Sequence, residues 1–505
     1  MIRLWAAAGC ALSISLAAAP AARAETPCES LASTVLPHAS VLEAVPGPAE
    51  DHACRVRVAS HPTSDSDIRI EVWIPSGGAW NGRYVQLGNG GFAGSIPAAY
   101  LALLAAHGYA VAATDDGHQG APTDASWALG HTDKVTDFGW RALKETTDTA
   151  RALIVAMKGA GARRSYFLGC SDGGREALME AQRFPDDFDG IIAGAPANDF
   201  TGLFALGAVT EQILLETPGA YLGPTQLRLL ENGALAACGG SGGGADSYVL
   251  DPLACKFDPG VLVCESGQDP GRCLTYEQAA TARAVYRGLA SVDGKPLYPG
   301  YTPGAEAEPG GWQAWITGPS RAQAGEATTF KFATEFFGDF AYGDAGYDIR
   351  NFDVADLPRI TASIGSILNS IDPDLRKFRD HGGKLIQYHG WNDAAIPARG
   401  SIKYYESVSA VMTDPSKFYR LYLIPGMLHC GGGPGPGNVD WIAVLQDWVE
   451  RGLAPADLTA VSGPIGQPAA RGATQLICPY PQRPTATGPE SRRCLLPPPP
   501  PRRGA

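Results

Sequence analysis

The most constraining feature of the sequence is the stretch of residues 165–176, which contains the pattern G-x-S-x-G around Ser171. Residues 166–168 are apolar, as expected of a buried strand, and the residues that follow Gly173 favour a helix. This order of strand, sharp turn and helix is what a nucleophile elbow requires, since glycines permit the turn without a Cβ clash. A chain with 62 glycines can contain such a pattern by chance, so the surrounding sequence has to decide.

Strand and helix patterns alternate around this stretch. Strands are predicted at residues 66–75, 84–87, 109–114, 166–168, 188–193, 384–389 and 418–424, and helices at residues 98–107, 141–158, 375–381, 401–412 and 440–451. In the first half of the chain this alternation implies a parallel sheet covered by helices on both faces. The expected fold class is α/β, as an α/β-hydrolase fold with a large inserted lid domain.

The alternation stops near residue 200 and returns near residue 365. The intervening segment has helical patterns, a glycine-rich run, four cysteines and many aromatic residues. We expect a lid here, whose aromatic side chains either line an apolar pocket or form the core of the lid itself. The predicted organisation is a signal peptide (1–24), a hydrolase core in two parts (25–199 and 366–494), a lid (200–365) and a disordered proline-rich tail (495–505).

Three residues at predicted strand ends have the chain order of an α/β-hydrolase triad. In that fold the nucleophile comes first, an acid second and a histidine last. Ser171, Asp393 and His429 occur in this order, each after a predicted strand. We therefore predict that Ser171 attacks an acyl carbon, that His429 carries the proton to the leaving alcohol, and that Asp393 orients the imidazole.

Each of these residues also has a plainer interpretation. A serine between glycines is usually a turn, and an aspartate after a strand is usually a helix cap or a solvated loop residue. His118 and His389 compete with His429 for the role of base, and either could be a structural histidine. The chain order and the strand-end placement together favour the triad.

A glycine-rich loop at residues 88–94 follows the predicted strand at 84–87. No Lys-Ser or Lys-Thr pair follows it, so a phosphate-binding loop is a poor fit. In α/β-hydrolases one oxyanion donor is the N–H after the nucleophile, and the second comes from an early loop of this kind. We expect the backbone N–H groups of Asp172 and of Gly90 or Gly91 to bind the oxyanion, with a simple tight turn as the alternative.

The first 24 residues have the pattern of a secretory signal peptide, with Arg3, an apolar stretch and an A-x-A site at residues 22–24. We therefore expect a secreted or periplasmic protein. Cleavage would remove two arginines and no acidic residue, so the formal net charge of −12 would become −14. Nucleic acids and anionic membranes both require a basic face, so neither is an expected partner.

Ten cysteines remain after the signal peptide, which in an exported chain favours disulfides over metal ligands. Proximity suggests four pairs, although sequence alone does not fix connectivity: Cys28 with Cys54, Cys238 with Cys255, Cys264 with Cys273, and Cys478 with Cys494. Cys170 and Cys430 are left over. If Ser171 and His429 meet, these neighbouring cysteines come close enough for a disulfide. A free thiol or a redox pair is the alternative.

The motifs around the triad resemble those of the tannase and feruloyl esterase family, which also includes bacterial mono(2-hydroxyethyl) terephthalate (MHET) hydrolase. The matching residues are 169–176, 390–393 and 425–430, with similar residues at 115–118 and 194–197. The resemblance extends from Cys28 to about Cys494. It implies the five disulfides named above, a lid over the active site, and hydrolysis of esters of aromatic acids such as ferulate, gallate or terephthalate.

The chain departs from this family at the calcium loop of the lid. The resemblance implies aspartates at D-x-x-D-x-x-x-D spacing after a lid cysteine, but here Cys238 precedes a glycine-rich run and only Asp246 matches. Calcium prefers six to eight oxygen ligands, including several carboxylates. We therefore expect no cofactor and regard the calcium site as lost.

The leading hypothesis is a secreted serine carboxylesterase with a small aromatic ester as substrate. A hydrolase or acyltransferase of the same scaffold with an unrelated substrate is the second hypothesis, and a non-catalytic binding protein on the hydrolase fold is the third. The sequence does not single out the residues of the lid that contact substrate. Lys331, Glu335 and Arg350 are candidates, with a solvated charge as the alternative for each.

Overall fold

The computed structural model describes residues 25–47, 52–241, 248–269, 271–463, 473–484 and 493–497. The predicted signal peptide, Asp246 and residues 498–505 of the predicted tail lie outside these ranges. Within the described ranges, no helix combines the length and the apolar character needed to cross a bilayer.

The first part of the chain alternates strands and helices. Its strands are β1 (Ala39–Pro46), β2 (Ala53–Ser60), β3 (Ile68–Pro75), β4 (Arg83–Leu87), β5 (Ala110–Thr114), β6 (Arg164–Cys170) and β7 (Gly190–Gly194). Its helices are α1 (Ala98–Ala106), α2 (Thr132–Thr136), α3 (Ala142–Lys158) and α4 (Asp172–Arg183).

The segment of residues 200–365 is mainly helical. Its helices are α5 (Phe200–Glu216), α6 (Pro224–Cys238), α7 (Tyr276–Arg287), α8 (Thr328–Glu335), α9 (Leu357–Ala362) and α10 (Gly365–Leu368). Two small antiparallel pairs accompany them: β8 (Gly240–Ser241) with β9 (Tyr248–Val249), and β10 (Gly288–Ala290) with β11 (Pro296–Pro299).

The alternation then resumes. This part contains α11 (Arg376–His381), β12 (Lys384–Gly390), α12 (Ala398–Val411), β13 (Tyr419–Ile424) and α13 (Trp441–Arg451), followed by the short strands β14 (Leu458–Val461), β15 (Thr474–Ile477), β16 (Arg483–Pro484) and β17 (Cys494–Leu495). The tail was expected to be disordered from residue 495, but Leu495 pairs with Arg483 and so belongs to a strand.

Among the described residues, nine strands form one sheet in the order β1-β2-β3-β5-β4-β6-β7-β12-β13. The pairs from β5 to β13 are parallel, whereas β1, β2, β3 and β5 pair antiparallel. The prediction of a parallel sheet was therefore wrong for the N-terminal edge. In β2 the buried Val56 and Val58 alternate with the more exposed Arg55 and Arg57, as in a strand with one solvated face.

The central parallel strands are buried on both faces, which explains their continuous apolar runs. In β6, Phe167 belongs to the cluster that includes Leu153 of α3, while its neighbour Tyr166 belongs to the cluster that includes Leu445 of α13. The helices thus cover the two faces of the sheet. The loops that follow β4, β6, β12 and β13 lie at the carboxyl edge of this parallel region, where the predicted site residues occur.

Candidate active site

Ser171 stands at a sharp turn between the end of β6 and the start of α4, with φ 67° and ψ −121°. A positive φ is strained for a residue with a Cβ atom. The Ser171 N–H donates to Gly194 O at 3.0 Å, which ties the turn to β7. A Cβ atom at Gly169 would lie 2.2 Å from Gly173 O, so this close approach requires glycine. The turn therefore has the geometry of a nucleophile elbow.

Asp393 and His429, which follow β12 and β13, are in direct contact. His429 Nδ1 donates to Asp393 Oδ2 at 2.8 Å, and Asp393 Oδ1 accepts from the N–H groups of Ala395 and Ile396 at 2.8 and 2.9 Å. The Asp393 side chain is wholly buried. Burial alone would raise the pKa of Asp393, but His429 and His389 hold that pKa well below its usual value. The carboxylate is therefore charged and oriented to stabilise a protonated His429.

A disulfide between Cys170 and Cys430 joins the nucleophile turn to the histidine loop. Their Cα atoms are 6.0 Å apart, although 260 residues separate them in sequence. Because these cysteines are the chain neighbours of Ser171 and His429, the bond holds the loops of these two residues close together. Ser171 Oγ makes no hydrogen bond to His429 Nε2 within the described ranges. This contact is often long without substrate and tightens in the Michaelis complex.

The remaining cysteines form the short-range pairs that proximity suggested. The pairs are Cys28–Cys54, Cys238–Cys255, Cys264–Cys273 and Cys478–Cys494. In the described part of the chain, all five disulfides implied by the family resemblance are thus present, and Cys170 and Cys430 are not free thiols.

Of the three predicted oxyanion donors, two line the cavity at Ser171 and one does not. Asp172 and Gly91 line the same cavity as Ser171. Asp172 is the first residue of α4, so its N–H has no carbonyl partner within the helix. Gly90 is not among the residues that line this cavity, and its carbonyl accepts from the Ala93 N–H at 3.0 Å. The geometry therefore favours Asp172 and Gly91 as the donor pair.

A buried polar network holds the loop of residues 88–94 against α4. Gly173 N–H donates to Asn89 O at 2.7 Å, and Asn89 N–H donates to Glu176 Oε2 at 2.9 Å. The Asn89 amide also donates to Asp116 Oδ2 at 2.8 Å. Burial raises the pKa of Asp116 to about 7 and raises that of Glu176 well above its usual value. These protonatable carboxyl groups can accept the buried N–H donors without two full negative charges.

The same carboxyl groups are the candidate metal ligands. Asp116, Asp172 and Glu176 have oxygens within 4.8 Å of one another. However, a positive charge is already present, because the wholly buried Arg175 binds Asp172 Oδ1 at 2.5 Å and Oδ2 at 3.1 Å. We therefore interpret this cluster as a buried group of carboxyls whose charge is compensated by Arg175 and which packs beneath the turn at Ser171. We assign no metal to it.

The cavity at Ser171 is narrow, with a volume of about 40 Å³, and its walls are largely apolar. The lid segment contributes Phe200, Leu203, Phe204, Trp315, Thr329 and Phe332. Trp315 also packs edge-on against the His429 ring, with ring centroids 5.1 Å apart. Part of the aromatic lid sequence therefore forms the wall of the pocket, while residues such as Phe337 are buried in the lid core.

The charged lid residues considered from sequence do not line this cavity. Arg350 pairs with Asp348 at 2.5 Å on the exposed surface, and Glu335 Oε2 accepts from the Ala125 N–H at 3.1 Å. Lys331 is exposed. Among the described residues that line the cavity, none is a lysine or an arginine.

The two competing histidines have different surroundings. His118 stacks on Trp127 with ring centroids 3.8 Å apart, and burial lowers the pKa of His118 to about 4. His389 is wholly buried, and its Nε2 lies 3.1 Å from Asp393 Oδ2. Sequence reasoning missed this link between His389 and the predicted triad. The available signal was their four-residue separation across the end of β12.

Comparison with known proteins agrees with this geometry. The family model described as tannase and feruloyl esterase matches residues 54–494. An uncharacterised esterase of Xanthomonas campestris pv. campestris is 37% identical, over 88% of this chain and 83% of its own. The mono(2-hydroxyethyl) terephthalate hydrolase of Piscinibacter sakaiensis is 33% identical, over 82% of this chain and 78% of its own. The crystal structure of feruloyl esterase B from Aspergillus oryzae aligns with a TM-score of 0.82 and 28% identity, over 93% of this chain and 99% of that one.

Proposed function

Because the chain belongs to the tannase and feruloyl esterase family, it is a carboxylic ester hydrolase, and we propose that it hydrolyses esters of aromatic acids through an acyl-enzyme on Ser171. The observation that carries this proposal is the cavity at the nucleophile. Ser171 shares that cavity with Phe200, Phe204 and Phe332, whose rings offer an apolar surface on which a planar acyl group can pack.

The chemistry proceeds in two halves. Ser171 Oγ attacks the ester carbon while His429 Nε2 takes its proton, and the N–H groups of Asp172 and Gly91 bind the resulting oxyanion. The intermediate collapses, and the alcohol leaves with the proton from His429. Water then attacks the acyl-enzyme with His429 as base, which releases the acid and restores Ser171. Asp393 remains ionised and stabilises the charged imidazole in both halves.

The cavity walls favour an uncharged acyl group. A carboxylate moved into an apolar site without a partner loses solvation that nothing restores. The described lining residues include no lysine or arginine, and the carboxylate of Asp172 is paired with Arg175. We therefore infer that feruloyl and galloyl esters are better substrates than the monoester of terephthalic acid, whose second carboxyl group is ionised.

A panel of methyl ferulate, methyl gallate and MHET tests this proposal with purified protein. We expect kcat/KM for at least one methyl ester to exceed that for MHET by about tenfold or more, which corresponds to about 1.4 kcal/mol. Ser171→Ala is the control and should abolish hydrolysis of all three esters. If MHET were the best substrate, the inference from the uncharged cavity would be wrong.

Labelling with a fluorophosphonate separates the alternatives. Wild type should label and Ser171→Ala should not, since the reagent reacts with an activated serine. An unlabelled wild type would favour the hypothesis of a non-catalytic binding protein. Labelling without hydrolysis of the panel, but with acyl transfer to an added alcohol, would favour an acyltransferase.

We further propose that the protein works in the periplasm or outside the cell. Its five disulfides in the described residues support this location, because such bonds persist in oxidising compartments. Assaying culture medium, periplasmic extract and cytosol for activity tests the location. Activity confined to the cytosol would refute it.

A further inference from the structure

We propose that His389 is a positioning residue of the esterase, which holds the carboxylate of Asp393 for His429 through its Nε2–H group. The inference rests on the proposed function, because Asp393 and His429 act there as the acid and the base. It adds a fourth side chain to the predicted triad, reached through Asp393 rather than through substrate.

The hydrogen bonds of His389 fix which ring nitrogen carries the proton. Nε2 lies 3.1 Å from Asp393 Oδ2 and 2.9 Å from Ile396 O. A carboxylate and a carbonyl are both acceptors, so Nε2 must be the donor. Nδ1 lies 2.7 Å from the Ser401 hydroxyl, which can donate to it.

A chain of hydrogen bonds behind His389 sets this direction. The Tyr419 hydroxyl donates to Gln387 Oε1, and the Gln387 amide donates to Ser401 Oγ. Ser401 then uses its single proton for His389 Nδ1. Each donor in the chain points towards Asp393, and Gln387, Ser401 and His389 are all buried. Neutral His389 therefore binds the carboxylate without bringing a second positive charge.

Both carboxylate oxygens of Asp393 therefore accept hydrogen bonds. Oδ1 accepts from two backbone N–H groups, and Oδ2 accepts from both His389 and His429. The two histidines share one oxygen, so each limits the charge available to the other. Removing the His389 donor would leave more negative charge facing His429 and would also release one constraint on the carboxylate plane.

In the described part of the chain, two tyrosines also interact with Asp393. Tyr298 and Tyr301 approach it from β11 and the residues after that strand, and burial raises the pKa of both tyrosines well above the usual value. Tyr419, at the far end of the hydrogen-bond chain on β13, likewise has a pKa raised by burial. These tyrosines stay neutral at working pH, so they do not compete with His429 for the charge of Asp393.

Two polar substitutions of His389 form a matched pair. In His389→Gln the amide nitrogen can occupy the place of Nε2 and keep the hydrogen bond to Asp393. In His389→Asn the shorter side chain can occupy the place of Nδ1, accept from Ser401, and no longer reach Asp393. Both variants remove the same ring and leave a similar cavity, so a purely structural role would affect them alike.

The pH profiles of kcat and kcat/KM for methyl ferulate should separate the two variants. For His389→Asn we expect kcat to fall by about 10- to 100-fold with KM within about twofold. The acid limb of its kcat/KM profile should move to higher pH by about 0.5–1 unit, because a less neutralised carboxylate stabilises protonated His429. In His389→Gln the acid limb of the kcat/KM profile should stay at the pH found for the wild type, and kcat should fall by less than about fivefold.

Equal losses in both variants, or an unmoved acid limb in His389→Asn, would overturn the proposal. If neither variant folds, ¹⁵N-histidine NMR of the wild type decides, since it should show a ring at His389 that is protonated at Nε2 and not at Nδ1. A ring protonated at Nδ1 alone would refute the inference. A wild type that hydrolyses no ester and fails to label at Ser171 would remove the proposed function and this inference together.

Discussion

Replacing Cys170 and Cys430 together by serine should reduce catalysis far more than replacing another disulfide of the same protein. The bond joins the chain neighbours of Ser171 and His429 across 260 residues. Chain entropy alone gives it about 5.6 kcal/mol of stability as an upper figure. The matched control is the Cys28–Cys54 disulfide, which spans 26 residues at the N-terminal edge of the sheet and has an upper figure of about 3.5 kcal/mol by the same relation.

The catalytic effect has a separate origin. Ser171 and His429 lie on different loops, and without the disulfide their separation depends on loop packing alone. A displacement of about 1 Å between reacting groups costs about 100-fold in rate. We therefore expect kcat of the Cys170→Ser, Cys430→Ser variant to fall by about 100-fold at a temperature at which it remains folded. The Cys28→Ser, Cys54→Ser variant should keep its kcat within about twofold.

Urea unfolding followed by tryptophan fluorescence gives the stability of each variant, and initial rates of methyl ferulate hydrolysis give kcat. Rates are compared only where both variants are more than nine-tenths folded. Equal kcat values for the two double variants would refute the idea that the disulfide positions nucleophile and base. A loss of kcat that tracks the unfolded fraction would refute it as well.

Two further predictions concern the lid. Glu211 is wholly buried with neither carboxyl oxygen hydrogen-bonded in the described structure, and burial raises its pKa to about 9. Because the folded pKa exceeds the unfolded value of about 4.3, stability falls as pH rises between these values, by about 1.4 kcal/mol per unit. The free energy of unfolding of Glu211→Gln relative to wild type should therefore rise by up to about 4 kcal/mol from pH 5 to pH 8, and a pH-independent difference in urea unfolding would contradict this. Chelation with EDTA should leave the melting temperature within about 1 °C, since of the expected loop aspartates only Asp246 is present, whereas a fall of several degrees would reveal a bound calcium ion.

The order of the strands and helices could be predicted because local signals define their ends. The helix predicted at 141–158 is observed at Ala142–Lys158 and ends at Gly159, whose φ of 71° suits a glycine. The antiparallel edge was missed although β2 alternates arginine and valine, which is the period expected of a half-buried strand.

Only those site residues that follow predicted strands in the chain order of a triad could be predicted from the sequence. Strand-end placement pointed to Asp393 and His429, whose side chains are in contact. The four-residue separation of His389 and Asp393 only hinted at their contact, because that contact depends on how the loop after β12 folds back. The choice between Gly90 and Gly91 likewise depends on which residue of a tight turn faces the cavity. Adjacent glycines look alike in sequence, so the sequence does not indicate which backbone N–H points towards Ser171.

The long disulfide also has a consequence for biosynthesis. The other four disulfides span 9 to 26 residues, so each can close soon after its second cysteine leaves the ribosome or the export channel. Cys170 must wait for Cys430 while the four cysteines at 238, 255, 264 and 273 emerge first, and each offers a wrong partner by thiol–disulfide exchange. An isomerase should therefore control the yield of active enzyme more strongly than the yield of exported chain. The bond most exposed to mispairing is thus the one that joins the loops of Ser171 and His429.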